Sequence, residues 1–117
     1  FHDGRKMVYG TMGGDGQPQT QSAIFSRYAY FNCDIQHAIS LPRWLLGKTW
    51  GQTGTALKLE SRFDSNLIEK LKAVGHDVEL LADYSDLVGH AGALILNKEG
   101  LIEGASDPRS DGSAIIF

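Results

Sequence analysis

Near its start the chain holds four glycines within twelve residues, Gly10-Thr11-Met12-Gly13-Gly14-Asp15-Gly16-Gln17-Pro18-Gln19-Thr20-Gln21. The segments on either side have opposite periodicity. Lys6-Met7-Val8-Tyr9 is an apolar tetrad that reads as a strand leaving a turn at Asp3-Gly4. Beyond the glycines, Ala23, Ile24, Tyr28 and Phe31 return at helical spacing and predict a helix from Gln19 or Thr20 to Asn32, with Pro18 at an early position. All four glycines are thereby placed in a strand-to-helix turn, where backbone approaches another group with no Cβ between them. The first N–H groups of a helix lack intrahelical partners, so such a turn suits an anion or a developing oxyanion. Tight-turn geometry alone is the competing reading of the same glycines.

The rest of the chain supplies strands and helices in alternation. A short helix is expected over Ile35–Ser40, capped by Asp34 and stopped before Pro42. Arg43-Trp44-Leu45-Leu46 extends, and a glycine-rich stretch flanked by Trp44 and Trp50 leads to a strand over Thr55–Glu60. Asp64 or Ser65 caps a helix over Asn66–Val74 that directs Leu67, Ile68 and Leu71 inward, and Gly75 ends it. Strands follow at His76–Leu81 and Ala91–Leu96, the second turning at Asn97-Lys98-Glu99-Gly100 into Leu101–Ala105. Phe1–Tyr9 reads as the remnant of a hairpin. The fold class is α+β, one domain over residues 1–117, with a largely antiparallel sheet.

Composition narrows the function classes. A net charge of −3 gives no electrostatic case for nucleic acid or an anionic membrane. No apolar run approaches the roughly 20 residues that span a bilayer. The single cysteine, Cys33, excludes an intrachain disulfide. Cys33 and His37 lie four apart, but two ligands do not make a metal site, and no dinucleotide or phosphate-loop fingerprint is present. Neither metal nor cofactor is expected.

Among the remaining polar residues, His90 stands between Gly89 and Gly92 at the entry to a strand, which implies close backbone approach. A substrate-facing and a structural histidine are both open there. Asp83 and Asp86 read as an acid/base set with His90 or as solvated turn-formers. Asp107-Pro108-Arg109 reads as a salt-bridged turn that anchors the tail, giving Asp107 and Arg109 a structural role. No nucleophile with a base beside it is evident.

Three blocks, Gly10 to Gln19, Ala38-Ile39-Ser40-Leu41-Pro42-Arg43 and Gly104-Ala105-Ser106-Asp107-Pro108-Arg109-Ser110, resemble in order and spacing the C-terminal part of the gamma-glutamyltranspeptidase family. The resemblance covers essentially the whole chain. It implies an N-terminal-nucleophile hydrolase, a four-layer αββα sandwich made by a precursor that cuts itself into a large and a small subunit. The threonine exposed by that cut attacks a γ-glutamyl amide, and an acyl-enzyme passes its acyl group to water or an amino acid. The resemblance places this chain after the threonine, so its expected partners are the large subunit and the upstream part of the small one. The family's diglycine, whose backbone N–H groups form the oxyanion hole, maps onto Gly13 and Gly14. His90 and Asp15 are carried as substrate-binding candidates. Where well-known members continue with Ser-Arg-Ile, this chain has Asp15-Gly16-Gln17-Pro18-Gln19, similar to a branch that includes cephalosporin and glutaryl acylases. The alternatives to a γ-glutamyl amidase are therefore an acylase of the same kind, or a non-catalytic scaffold fragment. The compartment is left open.

Overall fold

A computed structural model describes residues 1–49 and 53–115. Trp50, Gly51 and Gln52 of the glycine-rich stretch and the last two residues, Ile116 and Phe117, lie outside the described residues. Two three-stranded sheets carry the fold. The first has the order β1 (Lys6–Met12), β5 (His90–Leu96), β6 (Ile102–Ser106), and is antiparallel throughout. Helices α1 (Gln17–Ala29) and α2 (Ile35–Ser40) cover one of its faces, burying Ile24, Tyr28, Ala38 and Ile39 against Ala91, Ala93, Ile95 and Ala105. The strict alternation along β5 makes this possible, because every second residue meets the helices. The opposite face carries Val8, Met12, Leu94 and Ile102 exposed, with a hollow of about 570 Å³ over Gly10, Gly92 and Ala105.

The second sheet joins β2 (Trp44–Leu46), β3 (Leu57–Glu60) and β4 (Val78–Leu81). Here β3 and β4 run parallel, because α3 (Ser65–Ala73) returns the chain between them. The sheets are otherwise antiparallel among the described residues. Side-chain amides bond strand backbone to helices: Gln19 both donates to and accepts from Leu46, and Gln36 does the same with Ser106.

Several local expectations are corrected. β1 continues through Met12, so Gly10 pairs with Gly92 inside the sheet and only Gly13, Gly14 and Gly16 form the turn. The helix starts at Gln17, with Pro18 in its first turn, and stops at Ala29 because Asn32 takes a left-handed φ of 53° beyond it. Among the described residues no strand precedes Lys6. Instead Gly4 closes a turn onto Phe1, whose ring stacks on Phe25. In α3 only Ile68 is fully buried, whereas Leu67 is 43% exposed.

Candidate active site

The turn at the end of β1 is built from its neighbours. Gly13 has φ 142° and Gly14 φ 56°, conformations that side chains with a Cβ rarely adopt. The Gly13 carbonyl is turned inward, accepting from Gly16 N–H at 3.1 Å and from the buried Thr49 hydroxyl at 3.5 Å. With that carbonyl fixed, the Gly13–Gly14 peptide has little freedom. Among the described residues no acceptor meets the N–H of either Gly13 or Gly14, and no side chain caps the short 3₁₀ turn they open.

The backbone facing this turn is Gly89-His90, which enters β5 opposite Met12. A Cβ on Gly13 would lie 3.1 Å from the Gly89 Cα, and one on Gly89 only 2.4 Å from the Met12 carbonyl oxygen. The close approach expected beside His90 is thus made at Gly89. At Gly92 the nearest atom to such a Cβ is 3.8 Å away. His90 is half-buried, and its Nε2 is enclosed without a hydrogen-bond partner among the described residues. With Met12, Asp86 and Leu87 it lines a hollow of about 300 Å³. Gly13 therefore lies against the backbone that directly precedes His90. Asp15 projects from the same turn and is exposed. Asp83 is drawn elsewhere, accepting a short hydrogen bond from the Ser61 hydroxyl. Cys33 packs against the helix-side core, and the His37 N–H is taken by Asp34.

Behind the turn lies a buried ionic network. Arg109 makes a two-pronged bond to Glu60, Nε to Oε1 at 2.7 Å and Nη2 to Oε2 at 2.6 Å, and its Nη1 reaches Asp107 Oδ1 at 3.0 Å. Asp107 Oδ2 accepts from Arg43 Nη2 at 2.5 Å and from Ala91 N–H at 2.7 Å. Glu60 also accepts from the Arg43 N–H and from Arg62. Arg43, Glu60 and Asp107 are at most 1% exposed. Burial by itself pushes both carboxyls up, yet the guanidinium charges and the N–H donors around them outweigh it and hold both below their usual values. Arg109 is shifted the other way: burial opposes its charge, but Glu60 and Asp107 raise it overall. Burial, reinforced by the Arg43 and Arg109 charges, lowers Arg27 to about 10.

The sequence reading finds the Asp107–Arg109 turn but not Arg43 or Glu60 as its partners. Arg43 and Glu60 sit at strand ends where charge normally meets solvent, and the residues of the turn that they bond, Asp107 and Arg109, lie 64 and 49 residues away along the chain. Lys58, Leu59 and Glu60 are buried in succession, which does not fit a strand with one wet face, and the alternating sequence Leu57-Lys58-Leu59-Glu60 gives no sign of it.

The family model described as Gamma-glutamyltranspeptidase matches residues 1–117. The oxamate amidohydrolase proenzyme of Klebsiella pneumoniae is 59% identical over 114 residues, covering 97% of this chain and 22% of the relative. The glutathione hydrolase-like YwrD proenzyme of Bacillus subtilis is 48% identical over 110 residues, covering 94% of this chain and 21% of the relative. The chain thus spans about a fifth of the length of these curated relatives. Among solved structures, the Bacillus anthracis transpeptidase CapD superposes with a TM-score of 0.81 at 24% identity, over 98% of this chain and 66% of that one. A cephalosporin acylase from Bacillus halodurans does so with a TM-score of 0.77 at 26% identity, over 90% of this chain and 19% of that one.

Proposed function

The chain belongs to the gamma-glutamyltranspeptidase family, and we propose that it is the oxyanion-stabilising part of an amide-cleaving enzyme whose threonine nucleophile lies elsewhere in the precursor. The observation that carries this reading is the pair of N–H groups at Gly13 and Gly14, which no acceptor meets among the described residues and whose backbone is fixed by a held carbonyl. In the reaction, the threonine oxygen attacks the amide carbonyl carbon and its proton passes to the threonine's own α-amine. The carbonyl oxygen becomes an oxyanion that Gly13 and Gly14 N–H stabilise. The C–N bond then breaks, the amine leaves with that proton, and water or an amine acceptor releases the acyl group. His90 and Asp15 are the groups of this chain assigned to substrate contact.

The remaining parts of the precursor cover the exposed apolar face of the first sheet, as the second sheet of an αββα sandwich. Val8 and Leu94, 73% and 54% exposed, favour such a cover over solvent. The acyl donor is a small amide of the γ-glutamyl or oxamate class, following the two curated relatives. A glutaryl- or cephalosporin-type donor is the second reading, favoured by the acylase likeness and by Asp15-Gly16-Gln17 after the diglycine.

The test uses the complete precursor with γ-glutamyl p-nitroanilide, glutaryl p-nitroanilide and oxamate in parallel, followed by released nitroaniline or ammonia. Self-cleavage and turnover of at least one amide are expected, with Gly14→Val folded but inactive because a β-branched side chain blocks the approach. Turnover of none, or wild-type rates in Gly14→Val, overturns the proposal.

A further inference from the structure

We propose that Arg43, clamped by Asp107, is a positioning residue for the diglycine turn; this rests on the oxyanion role given to Gly13 and Gly14 above. Three consecutive stretches of backbone entering β5 are each held by a different buried side chain. Thr20 of α1 donates its hydroxyl to the Val88 carbonyl at 2.9 Å. Arg43, just before β2, donates Nη2 to the Gly89 carbonyl at 2.6 Å. Asp107, just after β6, accepts the Ala91 N–H at 2.7 Å while gripping the same Nη2 at 2.5 Å. One guanidinium nitrogen and one carboxylate oxygen therefore fix the residues on either side of His90.

What they fix is the surface against which the turn is set. Gly89 lies so close to Met12 and Gly13 that no Cβ fits between them. A shift of Gly89 is passed directly to the peptide units carrying the Gly13 and Gly14 donors, because close-packed backbone has no slack to absorb it. The arrangement is also one that packing alone does not favour. Arg43 is fully buried, and its Nε and Nη1 have no hydrogen-bond partner among the described residues. Stability by itself is generally served as well by an apolar side chain in such a place. All the hydrogen bonds found for this side chain among the described residues are made by Nη2, which orders the Gly89 carbonyl. Lysine at this position carries the charge, but its ammonium ends one bond short of the place Nη2 takes between Asp107 and Gly89.

The test compares wild type with Arg43→Lys in the complete, self-cleaved enzyme, using an anilide that wild type cleaves and the matching thioanilide, whose sulfur fits an oxyanion site poorly. Misaligned donors slow the oxygen substrate and not the sulfur one, so the oxygen-to-sulfur rate ratio reads alignment independently of how much protein is active. Arg43→Lys is expected to lower kcat by about 10- to 100-fold with KM within about twofold, and to reduce the ratio by a similar factor. Thr20→Val, nearly isosteric and freeing only the Val88 carbonyl, is expected to shift the ratio the same way by a few-fold, and decides the matter if Arg43→Lys fails to mature. A ratio equal to wild type in the variants that mature overturns the positioning role, even where rates fall. Absence of anilide cleavage by wild type instead removes the underlying oxyanion reading.

Discussion

Gly89→Ala tests the contact between the two backbone segments of the site. An added Cβ lies 2.4 Å from the Met12 carbonyl oxygen and 2.8 Å from the Thr11 hydroxyl, against about 3.4 Å for an ordinary contact. The threonine side chain rotates away, but the Met12 carbonyl is backbone within a paired strand, so the two segments must separate by about 1.0 Å. Met12 directly precedes Gly13, and a misplacement of about 1 Å at a reacting centre costs on the order of 10²-fold in turnover. Gly89 also has φ +83° and ψ 167°, a region essentially reserved for glycine, where a Cβ costs about 1–3 kcal/mol of strain. Gly4→Ala is the control for a positive φ without a clash: its φ is +87°, and nothing lies within 4 Å of the new Cβ. Both variants of the complete enzyme are to be compared by thermal unfolding and by kcat on an amide substrate. Both should lose some stability, and only Gly89→Ala should lose about 10²-fold in kcat. The reasoning is refuted if Gly89→Ala turns over within twofold of wild type, or if Gly4→Ala loses as much.

The ionic network makes two further predictions. Glu60→Gln leaves the buried Arg109 without the two-pronged carboxylate bond at 2.7 and 2.6 Å, so the domain should lose about 3–5 kcal/mol in chemical unfolding of the complete protein; a loss below about 1 kcal/mol contradicts a buried, mutually dependent network. Glu60 and Asp107 are both held below their ordinary values of 4.5 and 3.8, so their stabilising contribution is full above those values and is lost as pH falls through the lower folded ones. The thermal midpoint should therefore hold from pH 7 to 5 and fall between pH 4.5 and 3, and a midpoint that rises over that last interval contradicts the assignment.

How much of this was legible in the chain depends on the range of the interactions. Helix α2 is found with its observed bounds because both ends are written locally, Asp34 accepting from the His37 N–H and Pro42 barring continuation. The β5–β6 hairpin is equally local: the Asn97 side chain bonds the Glu99 and Leu101 N–H groups inside its own turn. The end of β1 was missed because glycine carries no strand preference, and only pairing with β5 keeps Gly10 to Met12 extended. Parallel pairing of β3 with β4 follows from the α3 crossover, which the sequence reading contains without drawing the consequence. Arg43 and Glu60 were not singled out because a buried charge differs from a surface one only through distant partners. The diglycine is legible in the sequence, since glycines grouped between an extended and a helical segment are a local signal.

The most direct measurement is a structure of the complete, self-cleaved enzyme with an electrophile bonded to its threonine, so that a tetrahedral oxygen occupies the oxyanion position. That oxygen should lie about 2.7–3.1 Å from the backbone nitrogens of both Gly13 and Gly14. Both nitrogens donating instead to protein carbonyls, with the oxygen held by other groups, would contradict the role given to this turn.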